Sequence, residues 1–149
     1  MAAKDIDRII IATSNRLFQP VARVAIFAVY FWFGILKLFG LSPASPLAAA
    51  LVSNTVGSRY FHGLFIILAL YECLIGVLFL FPRATRVVIP LLIIHMVIVC
   101  SPLILVTHLA WSKPFVPTLE GQYIIKNMAI IALAIGIAAA AKPLKPKHR

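Results

Sequence analysis

Two cysteines, Cys73 and Cys100, stand far apart with no CxxC pair, so the sequence encodes neither a cysteine metal cage nor a thioredoxin-like exchange motif. Small packing residues are what such cysteines are expected to be. No GxxxG, GxGxxG, GxxxxGK, HExxH or GxSxG occurs. Metal is therefore not expected, and any enzymatic chemistry has to rest on membrane-facing or periplasmic groups. Charge is scarce as well. Only 12% of the residues are charged against 62% hydrophobic, with a mean hydropathy of +1.03, too little polar surface to cover the core of a water-soluble domain.

What the chain has instead is four long apolar runs, Val21–Leu41, Tyr60–Phe81, Val87–Leu109 and Gly121–Ala141. Each is about 20 residues, the length a helix needs to cross roughly 30 Å of hydrocarbon. None alternates polar with apolar side chains as the strands of a water-lined barrel do. The expected fold is an all-α membrane protein, a four-transmembrane-helix bundle with antiparallel neighbours, occupying residues 20–141.

The basic residues give an orientation. Lys4, Arg8, Arg16 and Arg23 flank the first run, Arg83 and Arg86 lie between the second and third, and Lys142, Lys145, Lys147 and Arg149 form the tail. The opposite links carry only Arg59 and Lys113. Short loops rich in Lys and Arg stay cytoplasmic, so both termini are expected inside. Residues 1–19 are expected as a cytoplasmic segment, with Ile6, Ile9, Ile10 and Leu17 forming an amphipathic interfacial helix, and residues 142–149 as a basic cytoplasmic tail. The first run is longer than a leader's apolar core and is expected to be a retained helix. The net charge of +10 then reads as topology and attraction to anionic lipid; a nucleic-acid surface would want aromatic or polar partners that are absent here. In the outer links, Leu47–Val56 is expected as a short helix and Ala110–Glu120, with Trp111 and Phe115, as a stiff aromatic segment at headgroup level.

Ionisable residues inside the runs are the functional candidates, because an unpaired charge in hydrocarbon is costly. Glu72 comes first. Counted from the turn between the second and third runs, it lies about nine residues in and His95 about eight, so antiparallel helices put them at nearly equal depth. Lys37, Lys126 and Asn127 lie within about a turn of the outer surface, where a lysine either snorkels or joins an internal polar network with Glu72 and His95. Whether Glu72 pairs with His95 or with Lys37 stays open. Arg59, His62 and His108 are a second candidate set, lining an outer-side cavity able to receive a quinone oxygen or an anionic substrate. Haem between His62 and His108 is not expected, since both lie near the surface and no second matched pair exists. Pro102 should leave the Ile98 carbonyl without its usual partner and bend the third helix.

The stretch Phe31-Trp-Phe-Gly-Ile-Leu-Lys-Leu-Phe-Gly40, then Ser42-Pro with Pro46-Leu, Tyr71-Glu-Cys-Leu-Ile-Gly76 and Gly121-Gln-Tyr-Ile-Ile-Lys-Asn127, resembles the DoxX-like superfamily, especially its YkgB-like (DUF417) bacterial branch. The resemblance covers nearly the whole chain. It implies a four-helix protein of the bacterial cytoplasmic (inner) membrane, with Gly34/Lys37, Glu72/Gly76 and Gly121/Lys126/Asn127 as characteristic positions. It also implies a role in oxidative or reactive-chlorine stress, and a link to quinone-coupled sulfur oxidation in related DoxD proteins. Two functions follow as expectations. One is an accessory or interaction protein of stress defence. The other is the membrane subunit of a quinone-linked oxidoreductase, with quinone as cofactor and a soluble or membrane redox partner. Membrane lipid and a second copy of the chain are the other partners considered, and nucleic acid is not.

Overall fold

A computed structural model describes residues 3–141; the basic tail at 142–149 lies outside the described residues. The fold is mostly helical. Four helices are long and apolar enough to cross a membrane, the architecture of a multi-pass membrane bundle. In chain order the elements are α1 (Ala3–Leu38), α2 (Ser45–Thr55), α3 (Phe61–Phe79), α4 (Thr85–Cys100), α5 (Pro102–Leu105), α6 (Thr107–Ala110), β1 (Trp111–Lys113), β2 (Val116–Pro117), α7 (Leu119–Ile125) and α8 (Asn127–Ala139).

The segment expected as an interfacial helix leading into the first span forms one continuous helix with it. At 36 residues, α1 is about 54 Å long and runs through Pro20 without a break. Its turn around Pro20 is held from the side: the Phe18 ring packs on Gly136, and Gln19 Nε2 donates to the Gly136 carbonyl at 3.4 Å. At its other end α1 stops in a Schellman motif. Gly40, at φ +69°, takes the left-handed conformation, with Gly40 N–H donating to Lys37 O and Leu41 N–H to Leu36 O, which satisfies the last orphan carbonyls.

Small residues set the contact between α1 and α3. A Cβ at Gly34 would lie 2.6 Å from Cys73 Sγ and 2.8 Å from the Ala69 carbonyl, and one at Gly76 would lie 3.0 Å from Phe31 N. Each glycine therefore lets the backbone of the other helix come close at its own point along the crossing, the close approach that membrane helices use in place of a hydrophobic driving force. This crossing has a functional consequence. Lys37 is one turn from Gly34 and Glu72 one turn from Gly76, so each charged residue lies on the face its glycine presses against the other helix.

The third expected span, Val87–Leu109, is divided. Pro102 cannot donate to Ile98 O, yet Ser101 keeps helical dihedrals (φ −57°, ψ −30°) and the apolar span runs on from Pro82 to Leu105. The Ser101 hydroxyl takes over as donor to Ile98 O at 2.7 Å, so the expected orphan carbonyl is satisfied locally. The break comes at Val106 (φ −132°, ψ 50°), which separates α5 from α6. The aromatic link folds into a small antiparallel hairpin of β1 and β2, with Phe115 at its tip (φ 62°). Trp111 Nε1–H donates to Leu103 O at 3.0 Å and ties the hairpin to α5. Thr118 caps α7, its hydroxyl accepting from Gly121 N–H.

The core lies between α1, α3, α4 and α8 and contains Ala22, Ile26, Ile75, Phe79, Val88, Leu92, Met96 and Ile137. Exposed apolar side chains cover the outside of the helices, among them Ile67, Leu70, Ile93, Val97 and Ile135. A soluble protein rarely shows such a surface.

Candidate functional site: a buried polar chain at the wall of an apolar cavity

Four side chains from three helices form a continuous hydrogen-bonded chain. Tyr30 and Lys37 are seven residues apart on α1, two turns and hence one face. Glu72 comes from α3 and His95 from α4. Lys37 Nζ donates to Glu72 Oε2 at 2.6 Å, Glu72 Oε1 lies 3.1 Å from His95 Nε2, and His95 Nδ1 lies 3.0 Å from the Tyr30 hydroxyl. All four side chains are buried, with relative exposure between 4% and 8%. The sequence left open whether Glu72 meets His95 or Lys37; the carboxylate has two oxygens and meets both.

The partners fix the direction of each bond. A carboxylate only accepts, so His95 Nε2 carries the proton and donates to Glu72. In the tautomer with the proton on Nε2 alone, Nδ1 accepts from the Tyr30 hydroxyl, which also lies 4.0 Å from Met96 Sδ. Lys37 and Glu72 form a buried pair of opposite charges, so neither is left without a counter-charge. Consistent with that, no buried side-chain nitrogen or oxygen among the described residues lacks a hydrogen-bond partner. The Tyr30 and His95 rings also meet edge to face, with centroids 5.1 Å apart. Tyr71 steadies α3 against α4, its hydroxyl donating to Leu91 O at 2.9 Å.

This chain faces a cavity of about 420 Å³, within the range of small-molecule sites. Tyr30, Lys37, Glu72 and His95 line one side, Lys126 and Asn127 the rim, and Leu36, Leu68, Ile98, Val99 and Ile130 the walls. Helix α2 roofs it through Leu47, Ala48 and Leu51. Lys126 is exposed, and its ammonium lies over the Tyr123 ring at 3.8 Å and 5.5 Å from the centre of the Phe33 ring. The expected five-residue network therefore divides. Lys37, Glu72 and His95 are bonded to one another, whereas Lys126 and Asn127 share their cavity without joining the chain of bonds.

Arg59, His62 and His108 are placed differently from the expected outer cavity. All three are exposed and none lines it. The break at Val106 puts His108 on α6, beyond the end of the third span, and Arg59 stacks on the neighbouring Tyr60 ring. Cys73 and Cys100 are free thiols, and among the described residues no group of three or more His, Cys, Asp or Glu converges as metal ligands would.

Sequence reasoning missed two members of the polar architecture. Tyr30 passed as one ring in an aromatic run, and Arg23 as a flanking charge. Arg23 is buried, its Nη1 donating to Phe79 O at 3.1 Å and its Nη2 to Thr85 Oγ1 at 2.8 Å. The available signal was the spacing. Arg23, Tyr30 and Lys37 recur every seven residues, a polar stripe on the α1 face that packs against α3 and α4.

These features define a class, a multi-pass membrane bundle with a buried ion pair opening on an apolar cavity. No family model, curated protein or solved structure matches the chain.

Proposed function

We propose that the protein is a DoxX-like component of the bacterial cytoplasmic membrane, with both termini inside, that binds the headgroup of a membrane quinone in the cavity beside Lys37. The observation that carries this reading is the position of the Lys37–Glu72–His95–Tyr30 chain. It forms one polar side of a cavity that is otherwise mostly apolar, with Glu120, Lys126 and Asn127 as its further polar lining, and it joins a buried lysine to a relay of titratable groups.

The residues fit such a ligand. Glu72 occupies one N–H of the Lys37 ammonium, which leaves two donors for an acceptor oxygen in the cavity. Leu36, Leu68, Val99 and Ile130 offer apolar contact to a ring. A bound quinone would supply a two-electron, two-proton couple, with electrons drawn from a separate redox partner. The chain's own contribution is to orient an oxygen at Lys37 and to hold protons close by, on Glu72 and along His95 to Tyr30. Below Tyr30 the route stops. Ile26, Ile75, Phe79, Val88 and Leu92 are all buried, and this apolar layer separates Tyr30 from Arg23, about 10 Å away along α1. Protons therefore exchange on the Lys37 side alone.

A second reading has its own support. Because every buried side-chain nitrogen and oxygen among the described residues is paired, the same chain also serves as a polar staple. That is what an accessory protein of stress defence, without a ligand, would contain.

Purifying the full chain in mild detergent and extracting bound lipid-soluble compounds separates the two. Under the quinone reading, quinone co-purifies, and Lys37→Met reduces its amount at least tenfold while the helix content is kept. Absence of quinone, together with no saturable binding of an added short-chain ubiquinone, would leave the staple as the function.

A further inference from the structure

At the opposite end of the bundle from Lys37 lies a second concavity of about 650 Å³, between the Pro20 turn of α1, the α3–α4 link and the end of α8. Gln19, Arg23 and Arg86 supply its polar side, and Val24, Leu80 and Ile137 its apolar side. Among the described residues, no Asp or Glu lines it. We infer that this groove binds one anionic glycerophospholipid, its phosphate at Arg23 and Arg86 and an acyl chain along the apolar wall.

The Arg23 guanidinium is built in. Its two hydrogen bonds, to the last carbonyl of α3 and to Thr85 at the start of α4, fix its plane. They use two of five N–H donors, and the remaining three suit the oxygens of a phosphate. Arg86 adds a second positive charge from the first turn of α4. The depth suits a headgroup, since Arg23 sits where α3 ends and the link to α4 begins. Basic pockets between membrane helices hold lipid phosphates in this way. The apolar wall selects a lipid over a free anion, because a phosphate ion alone would leave the exposed Val24 and Leu80 without a ligand contact.

Native mass spectrometry of the full chain, released from micelles holding equal phosphatidylglycerol and phosphatidylcholine, reads the preference directly. The native protein should retain phosphatidylglycerol at least threefold over phosphatidylcholine. Arg86→Gln should abolish the preference, Arg86→Lys should keep most of it, and Ala140→Trp, which fills the groove, should lower retention of both lipids. Equal retention by the native chain overturns the proposal, as does full preference in both Arg86→Gln and Ala140→Trp. Displacement of the lipid by millimolar inorganic phosphate would also overturn it, in favour of a soluble-anion site. None of these outcomes depends on quinone binding.

Discussion

Replacing Glu72 by Gln tests the energetics of the buried pair. The change keeps side-chain volume but leaves the Lys37 ammonium, 8% exposed, without its counter-charge. It also presents an amide with one acceptor oxygen in place of two, so either Lys37 Nζ or His95 Nε2 loses its carboxylate acceptor. Breaking a buried ion pair from one side costs about 3–5 kcal/mol, whereas a pair of exposed charges is worth about 0–1 kcal/mol. Lys37→Met should cost a similar amount, because it strands the carboxylate. The double variant removes both charges, so its cost should fall short of the sum of the single costs by about 2 kcal/mol, near the upper part of the range for residues in contact. Reversible unfolding of the full chain in mixed micelles, followed by circular dichroism, gives all four corners of the cycle. If the single costs add to within about 0.5 kcal/mol, the two side chains do not meet in the folded protein, and the site as described is wrong.

Tyr30→Phe removes the donor to His95 Nδ1 and should destabilise by about 1–3 kcal/mol; nitrogen NMR of labelled His95 should find the proton on Nε2 in the native chain, and a proton on Nδ1 would contradict the hydrogen-bond directions. Gly34→Val forces a side chain against Cys73 Sγ and the Ala69 carbonyl, an overpacking cost of about 1–3 kcal/mol, while Gly63→Ala, with nothing within 4 Å of the added carbon, should be tolerated in the same melt. Vesicles containing the purified protein should hold an imposed pH gradient as long as protein-free vesicles do, because the layer around Phe79 and Leu92 interrupts the polar chain; rapid collapse of the gradient would show a path through it.

The helical architecture was legible because length and apolarity alone decide it. The Glu72–His95 pairing was legible for a different reason: the turn between the second and third spans is short, so counting residues from it measures depth on both helices. Lys37 could be proposed as the rival partner but not ranked, since a sequence does not show that Gly34 and Gly76 draw α1 against α3. Tyr30 and Arg23 were overlooked where a seven-residue polar stripe ran through an otherwise apolar helix. The outer arrangement was the least accessible. Pro102 announces a bend, but the break at Val106, the hairpin around Phe115 and the seat of α2 over the cavity depend on packing that no local periodicity records. Arg59, His62 and His108 were grouped by depth alone, and depth says nothing about which way a side chain faces.

Photolabelling with an azido-quinone tests the proposal that the polar chain forms the wall of a quinone site. In membranes containing the full chain, label should appear in peptides carrying Tyr30–Lys37 or Glu72, be displaced by unlabelled short-chain quinone, and fall sharply in Lys37→Met. Label spread over outward-facing positions such as Ile67 and Ile93, undiminished by competitor, would contradict it.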